Sequence, residues 1–239
     1  MLRADRLIII INQKSRTGAI VPDGHSISLK AKLYFMPVKP TLQEGLKPYL
    51  PEQGLEQVMQ WIDGRPVHMR ITRGRTSKLG DYRPPQKDHI HRISVNGDLN
   101  PYEFLITLTH EIAHMAVWEK HGRRVRPHGK AWKFQYASMM AELLKRNVFP
   151  EDMKVTILKQ VNNPRATSKT DTDLARALQE HNVDKDGHFL EDLPEGAVFR
   201  LQNGRRFQKK EKLRKWYRCI SLDNRRPYRI SPVARVIPG

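Results

Sequence analysis

One stretch limits the fold of this chain more than any other: residues 100–121, N-P-Y-E-F-L-I-T-L-T-H-E-I-A-H-M-A-V-W-E-K-H. Asn100 stands where a helix needs a cap, Pro101 suits the first turn, and Glu103 occupies the acid position of a capping box. Gly122 then supplies a C-terminal stop. Between these signals run Phe104, Leu105, Ile106, Leu108, Ile112, Ala113, Met115, Ala116, Val117 and Trp118. A helix that is apolar around most of its circumference is a buried helix.

The polar exceptions cluster. At about 100° per residue, Thr107, His110, Glu111 and His114 share a wedge roughly 100° wide. Thr109 lies nearly opposite, where a backbone carbonyl can satisfy its hydroxyl. Burying two imidazoles and a carboxylate costs on the order of a few kcal/mol each unless something pairs them. A single zinc ion does so, because His110 and His114, one turn apart, can both aim a ring nitrogen at a metal about 2.0–2.1 Å away. Glu111 sits beside them, placed to accept a proton from an attacking water.

A catalytic zinc keeps three protein ligands and one open position, so a third ligand must come from elsewhere. The spacing HExxHxxGxxH fails, since Val117 and Lys120 stand at the required Gly and His places. Glu119 is too close along the helix and on the wrong face. His128 follows a loop rich in Gly and Arg and precedes a new helical run, so it can fold back over the open side. It is the stronger candidate, and His121 the weaker.

The flanking segments predict a small mixed fold. Leu55, Val58, Met59 and Ile62 give an amphipathic helix over 52–62, ended by Asp63-Gly64. Residues 67–72 alternate as a half-buried strand, and a second strand is expected over 90–95, with Asn96-Gly97 turning into the buried helix. The segment between them carries Arg73, Arg75, Lys78, Arg83 and Lys87, either as a solvated loop or as the border of a cleft. A helix over 130–146 places Trp132, Tyr136, Met139, Met140, Leu143 and Leu144 on its core face. Tyr136 could also polarise a scissile carbonyl, although nothing singles it out. Residues 153–161 read as a short closing strand. Residues 12–50, punctuated by Gly and Pro, read as loop, preceded by an isoleucine run at 8–11 too short to cross a membrane.

The order of these pieces resembles the SprT-like (Spartan-type) zinc metalloprotease family. The resemblance rests on R-T-S-K-L-G-D-Y-R-P at 75–84, H-R-I-S-V-N at 91–96, L-I-T-L-T-H-E-I-A-H at 105–114, and His128-Gly129 followed by Trp132. It covers roughly residues 55 to 160. It implies an α+β, zincin-like domain with the helix packed on a small β-sheet. It further implies His110, His114 and His128 as ligands of one Zn(2+) and Glu111 as catalytic base. By analogy with eukaryotic members, it implies proteolysis of DNA-attached proteins.

Charge points the same way. The net charge of +18 among 239 residues favours a polyanionic partner, nucleic acid before membrane. Arg123, Arg124 and Arg126 fall in the loop before His128. From Arg200 to Gly239 the net charge is +11, with Arg205, Arg206, Lys209, Lys210, Lys212, Arg214 and Lys215 interleaved with aromatics that include Trp216 and Tyr217. This reads as a basic β-rich module suited to phosphate contacts and base stacking. Many family members carry a four-cysteine zinc ribbon here. This chain has Cys219 alone, so no disulfide or cysteine zinc site can form within it.

The expected organisation is a loop-rich segment over 1–51, a SprT-like domain over 52–161, a linker with a short helix over 162–195, and the basic module over 196–239. Residues 182–187 mimic the front of an EF-hand loop, but Leu193 stands where a bidentate Glu is required, so calcium is not expected. The leading functional reading is a cytoplasmic zinc endopeptidase acting on DNA-associated or DNA-crosslinked protein, with no membrane partner. Its rivals are a nucleic-acid-binding protein whose zinc is structural or inert, for which a fourth protein ligand such as His121 would speak, and a hydrolase of small amides.

Overall fold

Alternation of large apolar and polar residues builds the first sheet. In a computed structural model that describes residues 8–12, 41–75, 77–164, 172–182 and 187–239, Val67, Met69 and Ile71 of β2 (Val67–Thr72) are buried, and so are Ile93 and Val95 of β4 (His91–Asn96). These strands pair in parallel, Val67 opposite His91. β1 (Ile8–Asn12) adds to β2 and β3 (Gly80–Arg83) to β4, both antiparallel, giving the order β1-β2-β4-β3. β3 is therefore an edge strand.

The chain divides into two units, residues 1–127 and 128–239. In the first, α1 (Leu42–Leu46) and α2 (Glu52–Ile62) precede the sheet, and α3 (Pro101–His121) packs against β3 and β4. The Asn100 side chain accepts from the backbone N–H of Tyr102 and Glu103, and Gly122 caps the other end at φ 60°. The expected helix and its stops are thus present. The Thr109 hydroxyl donates to Leu105 O at 2.8 Å, as its place opposite the polar wedge requires.

Three local readings need correction. α1 lies in the segment read as loop. Its signal was a capping box, in which Thr41 accepts from Glu44 N while Glu44 accepts from Thr41 N, and it was hidden by flanking prolines. β3 lies inside the basic segment, where four residues beginning with Gly and carrying two charges leave no readable alternation. Residues 151–162 form helix α5 (Glu151–Asn162) rather than a strand. Met153, Thr156, Ile157 and Gln160 are buried at three- and four-residue spacing, while Val155 and Leu158 are exposed, so the alternation of Val155, Ile157 and Val161 that suggested a strand does not define the core face. Pro150 precedes the helix, and Glu151 and Asp152 complement its first turn.

In the second unit, α4 (Lys130–Lys145) packs on α5, and α5 on α6 (Thr172–Gln179). An antiparallel six-stranded sheet follows, in the order β5-β10-β6-β7-β8-β9, from β5 (His188–Phe189), β6 (Val198–Leu201), β7 (Arg206–Lys212), β8 (Tyr217–Ser221), β9 (Pro227–Ile230) and β10 (Arg235–Pro238). Leu190, Phe199, Phe207, Cys219 and Val236 form its core. The lone cysteine is therefore a core residue, and burial lifts its thiol to about 11. α6 is fastened to this sheet. Arg176 pairs with Glu191 and Asp192, and Arg235 donates to Gln179 Oε1 at 2.6 Å. Most of the polar stretch read as linker, and the centre of the EF-hand mimic, lie outside the described residues. No helix among the described residues is long and apolar enough to cross a membrane.

Candidate metal centre

On α3 the expected wedge is real. His110 and His114 are half-buried and Glu111 is 6 % exposed. His110 Nε2 and His114 Nε2 stand 3.2 Å apart. Two nitrogens bound about 2.0–2.1 Å from a tetrahedral metal are separated by about 3.3–3.4 Å. The pair is therefore spaced for a shared ion. One ligand atom from each of His110, His114 and His128 lies within 4.8 Å of the other two, a three-histidine group that could bind a metal. His121, the weaker sequence candidate, is not in this group and ends α3 half-buried.

His128 is held in a left-handed backbone conformation, φ 58°. A non-glycine residue adopts that region at a cost of order 1–3 kcal/mol, and such residues concentrate at functional sites. Its ring meets Trp132 edge-on at 4.7 Å, and Trp132 stacks on Tyr136 at 4.9 Å. The aromatic four residues after His128 thus orients its imidazole. Burial lowers the His128 pKa and favours the neutral ring that a metal requires. Tyr136 is 3 % exposed and burial raises its pKa, so its structural part is to carry Trp132.

Glu111 is enclosed by the edge strand. A Cβ on Gly80 would fall 2.4 Å from Glu111 Oε1 and 2.8 Å from Thr107 Cγ2, so only glycine lets β3 pass this close. Burial raises the Glu111 pKa to about 8, with Asp81 adding to the rise. Lys78, Arg75 and the Tyr82 backbone N–H, which donates to the carboxylate, pull it back down. A carboxyl poised near neutrality beside two imidazoles is suited to proton transfer.

Three residues that matter here lie in the segments that carry the family resemblance, yet nothing in the sequence singled them out for the site. Asn96, expected only as a turn residue, is 1 % exposed. Its Oδ1 accepts from Arg75 Nε at 2.8 Å, and its Nδ2 donates to Arg75 O and Lys78 O, which ties down the loop leading into β3. The Tyr82 ring stacks parallel to His114 at 6.3 Å, and its hydroxyl lies 2.9 Å from His91 Nδ1. His91 Nε2 in turn lies 3.5 Å from Glu119, which Arg65 holds. Glu119, excluded as a ligand by its helical position, is the far end of this chain.

The basic residues fall into distinct settings. Arg123, Arg124 and Arg126 are exposed in the loop before His128. On the C-terminal sheet Arg200 is opposite Arg206 and Arg218 opposite Arg229, so one face carries like-charged neighbours. Lys212, Arg214, Lys215 and Trp216 are exposed around the β7–β8 turn, and Lys210 is half-buried. Arg205 lies over the rings of Phe207 and Tyr228. Lys209 departs from the expectation of a phosphate-facing cation. It is 3 % exposed, and its ammonium donates to Leu193 O at 2.5 Å and Glu191 O at 3.2 Å beneath the Tyr217 ring. Tyr217 is half-buried over that ammonium, which leaves Trp216 the more open of the two aromatics.

A helix carrying paired histidines and a glutamate, packed on a sheet whose edge strand borders the glutamate, is an arrangement similar to that of zincin-like metallopeptidases. Residues 54–155 match the model of the SprT-like family. Comparison with curated proteins returns no match, and comparison with solved structures returns none.

Proposed function

We propose that the chain is a zinc-dependent endopeptidase acting on proteins bound or crosslinked to DNA. The observation that carries this reading is the three-histidine group with Glu111 buried beside two of its members. His110, His114 and His128 would hold one Zn(2+), leaving a position for substrate. When bound, zinc supplies Lewis acidity and lowers the pKa of water toward about 7.

Glu111 takes the proton of the attacking water and returns it to the leaving amine. Tyr82 and Trp132 keep the imidazoles of His114 and His128 in orientation. β3, an edge strand at Glu111, receives the substrate as an added extended strand, so main-chain hydrogen bonds position the peptide with little demand on its sequence. The cationic face of the C-terminal sheet holds DNA and raises the local concentration of its bound proteins. The same reading puts the protein in the cytoplasm, at the nucleoid in a bacterial cell, with no membrane partner.

The test is cleavage of a DNA-binding protein by the zinc-loaded chain, with and without DNA. Cleavage is expected to require zinc and to be faster with DNA. Zinc-independent cleavage would remove the mechanism. Zinc-dependent cleavage indifferent to DNA would remove the substrate class.

A further inference from the structure

The alternation that buries Val67, Met69 and Ile71 sends His68, Arg70 and Thr72 to the opposite face of the N-terminal sheet. Register with β4 sets His68 opposite Arg92 and Arg70 opposite Ser94. These residues line a groove of about 920 Å³ that contains five arginines and only two aspartates. This face is opposite the one on which Gly80 meets Glu111, and of its lining residues only Asp81 and Arg75 act on Glu111, through their charge.

Two acids at or beside the groove are already committed, whereas Asp98 on its lining has no ion pair among the described residues. Asp81 pairs with Lys78 and Arg83, and Asp88 with Arg92. Arg75 is fixed across the face by Asn96 Oδ1 and Ser94 Oγ. Arg70 has no ion pair or hydrogen bond among the described residues. His68 Nε2 is buried, with no hydrogen-bond partner among the described residues. Burial, then Arg92 and Arg70, lower the pKa of His68. Like charges set against one another on a sheet face are unfavourable, as is a buried ring nitrogen without a partner. A tetrahedral oxyanion relieves both, accepting from the free Arg70 guanidinium fork, the Ser94 hydroxyl and the His68 imidazole N–H, with Arg92, already paired to Asp88, adding positive charge beside it.

We propose that this groove, centred on His68, Arg70, Arg92 and Ser94, is a phosphate-binding site. Its volume accommodates several phosphates, which suits a nucleic acid backbone, and free phosphate shares the chemistry. Such a site would fix the sheet that carries Glu111's edge strand directly on nucleic acid, independently of the C-terminal sheet and of peptidase activity.

The full chain with Arg200→Glu and Arg206→Glu, which weakens the C-terminal face, serves as background. Two probes are used: inorganic phosphate, read by thermal shift, and a short labelled oligonucleotide, read by anisotropy. Phosphate is expected to raise the melting temperature of the background protein but not of its Arg70→Glu derivative. The same substitution is expected to weaken the oligonucleotide about tenfold and to lower the salt slope by about one. Loss of both responses assigns a nucleic acid backbone, and loss of the phosphate response alone assigns free phosphate. The proposal is overturned if phosphate gives no shift, if Arg70→Glu changes neither response, or if polyglutamate displaces the oligonucleotide as readily as unlabelled oligonucleotide does. Should Arg70→Glu lower the melting temperature without ligand, Arg70→Gln replaces it, with the same outcomes in smaller measure.

Discussion

The polar wedge of α3 and the cationic face of the C-terminal sheet are both built from charged or ionisable residues, yet they obey opposite rules. On α3 His110, Glu111 and His114 sit in an apolar element, and neighbours hold them: Tyr82 stacks on His114 and β3 passes against Glu111, as Trp132 holds His128 before α4. On the C-terminal sheet the cations are numerous and mostly open to solvent, and what ion pairs they make are exposed, Arg218 with Glu211 at 3.1 Å and Arg206 with Asp223 at 3.9 Å. Burial makes a few groups indispensable. Exposure makes many groups individually replaceable.

That contrast can be broken at its strongest point first. Glu111→Gln should retain zinc, measured by metal analysis, while peptide cleavage falls by about 10²–10⁴-fold, the usual worth of a positioned acid–base group. A variant that cleaves as fast as the parent would end the contrast on the α3 side. Gly80→Ala should come next. It forces Glu111 and β3 apart by side-chain collision, and an ångström-scale misplacement costs roughly a hundredfold in kcat/KM. Its zinc content should be unchanged.

Acidity offers a third test, on the chelator-treated protein. Glu111 has its folded pKa raised from 4.5 to about 8, so its contribution favours the folded state most below about 4.5 and is lost as pH rises through about 8. The melting temperature should therefore fall across that window and level off above it. Glu111→Gln should flatten the dependence. A Glu111-dependent rise with pH instead would show that the carboxylate is not buried as described.

The smallest effects belong to the sheet. Arg206→Ala should weaken a short oligonucleotide a few-fold and reduce its salt slope by about one, uniformly across sequences. Lys209→Met should separate position from charge. It removes the same formal charge, but its first effect should be on the melting of the C-terminal module, since Lys209 fastens Glu191 and Leu193 rather than facing solvent.

Local rules wrote much of this protein in plain form. Asn100, Pro101 and Gly122 delimit α3 because a cap, a first-turn proline and a left-handed stop act over a few residues. The wedge of His110, Glu111 and His114 is a matter of helical angle alone, and β2 was legible because every second residue from Val67 to Thr72 is apolar. Where two local patterns competed, reading failed: Val155, Ile157 and Val161 suggested a strand, and only the packing of Met153, Ile157 and Gln160 within α5 chose the helix.

What the sequence determined by itself was therefore the identity of the chemistry: two histidines and a glutamate on one buried helical stripe, a further histidine-glycine start, and a large excess of positive charge. The tertiary structure decided which groups meet. It admitted His128 and not His121 to the histidine group, carried β3 past Glu111, joined Tyr82 to His91 and His114, and buried Lys209 among carbonyls. The reason is physical. Helical phase and caps depend on neighbours in the chain, whereas burial and long-range contact depend on the whole folded arrangement and leave no pattern of their own at the residues that make them.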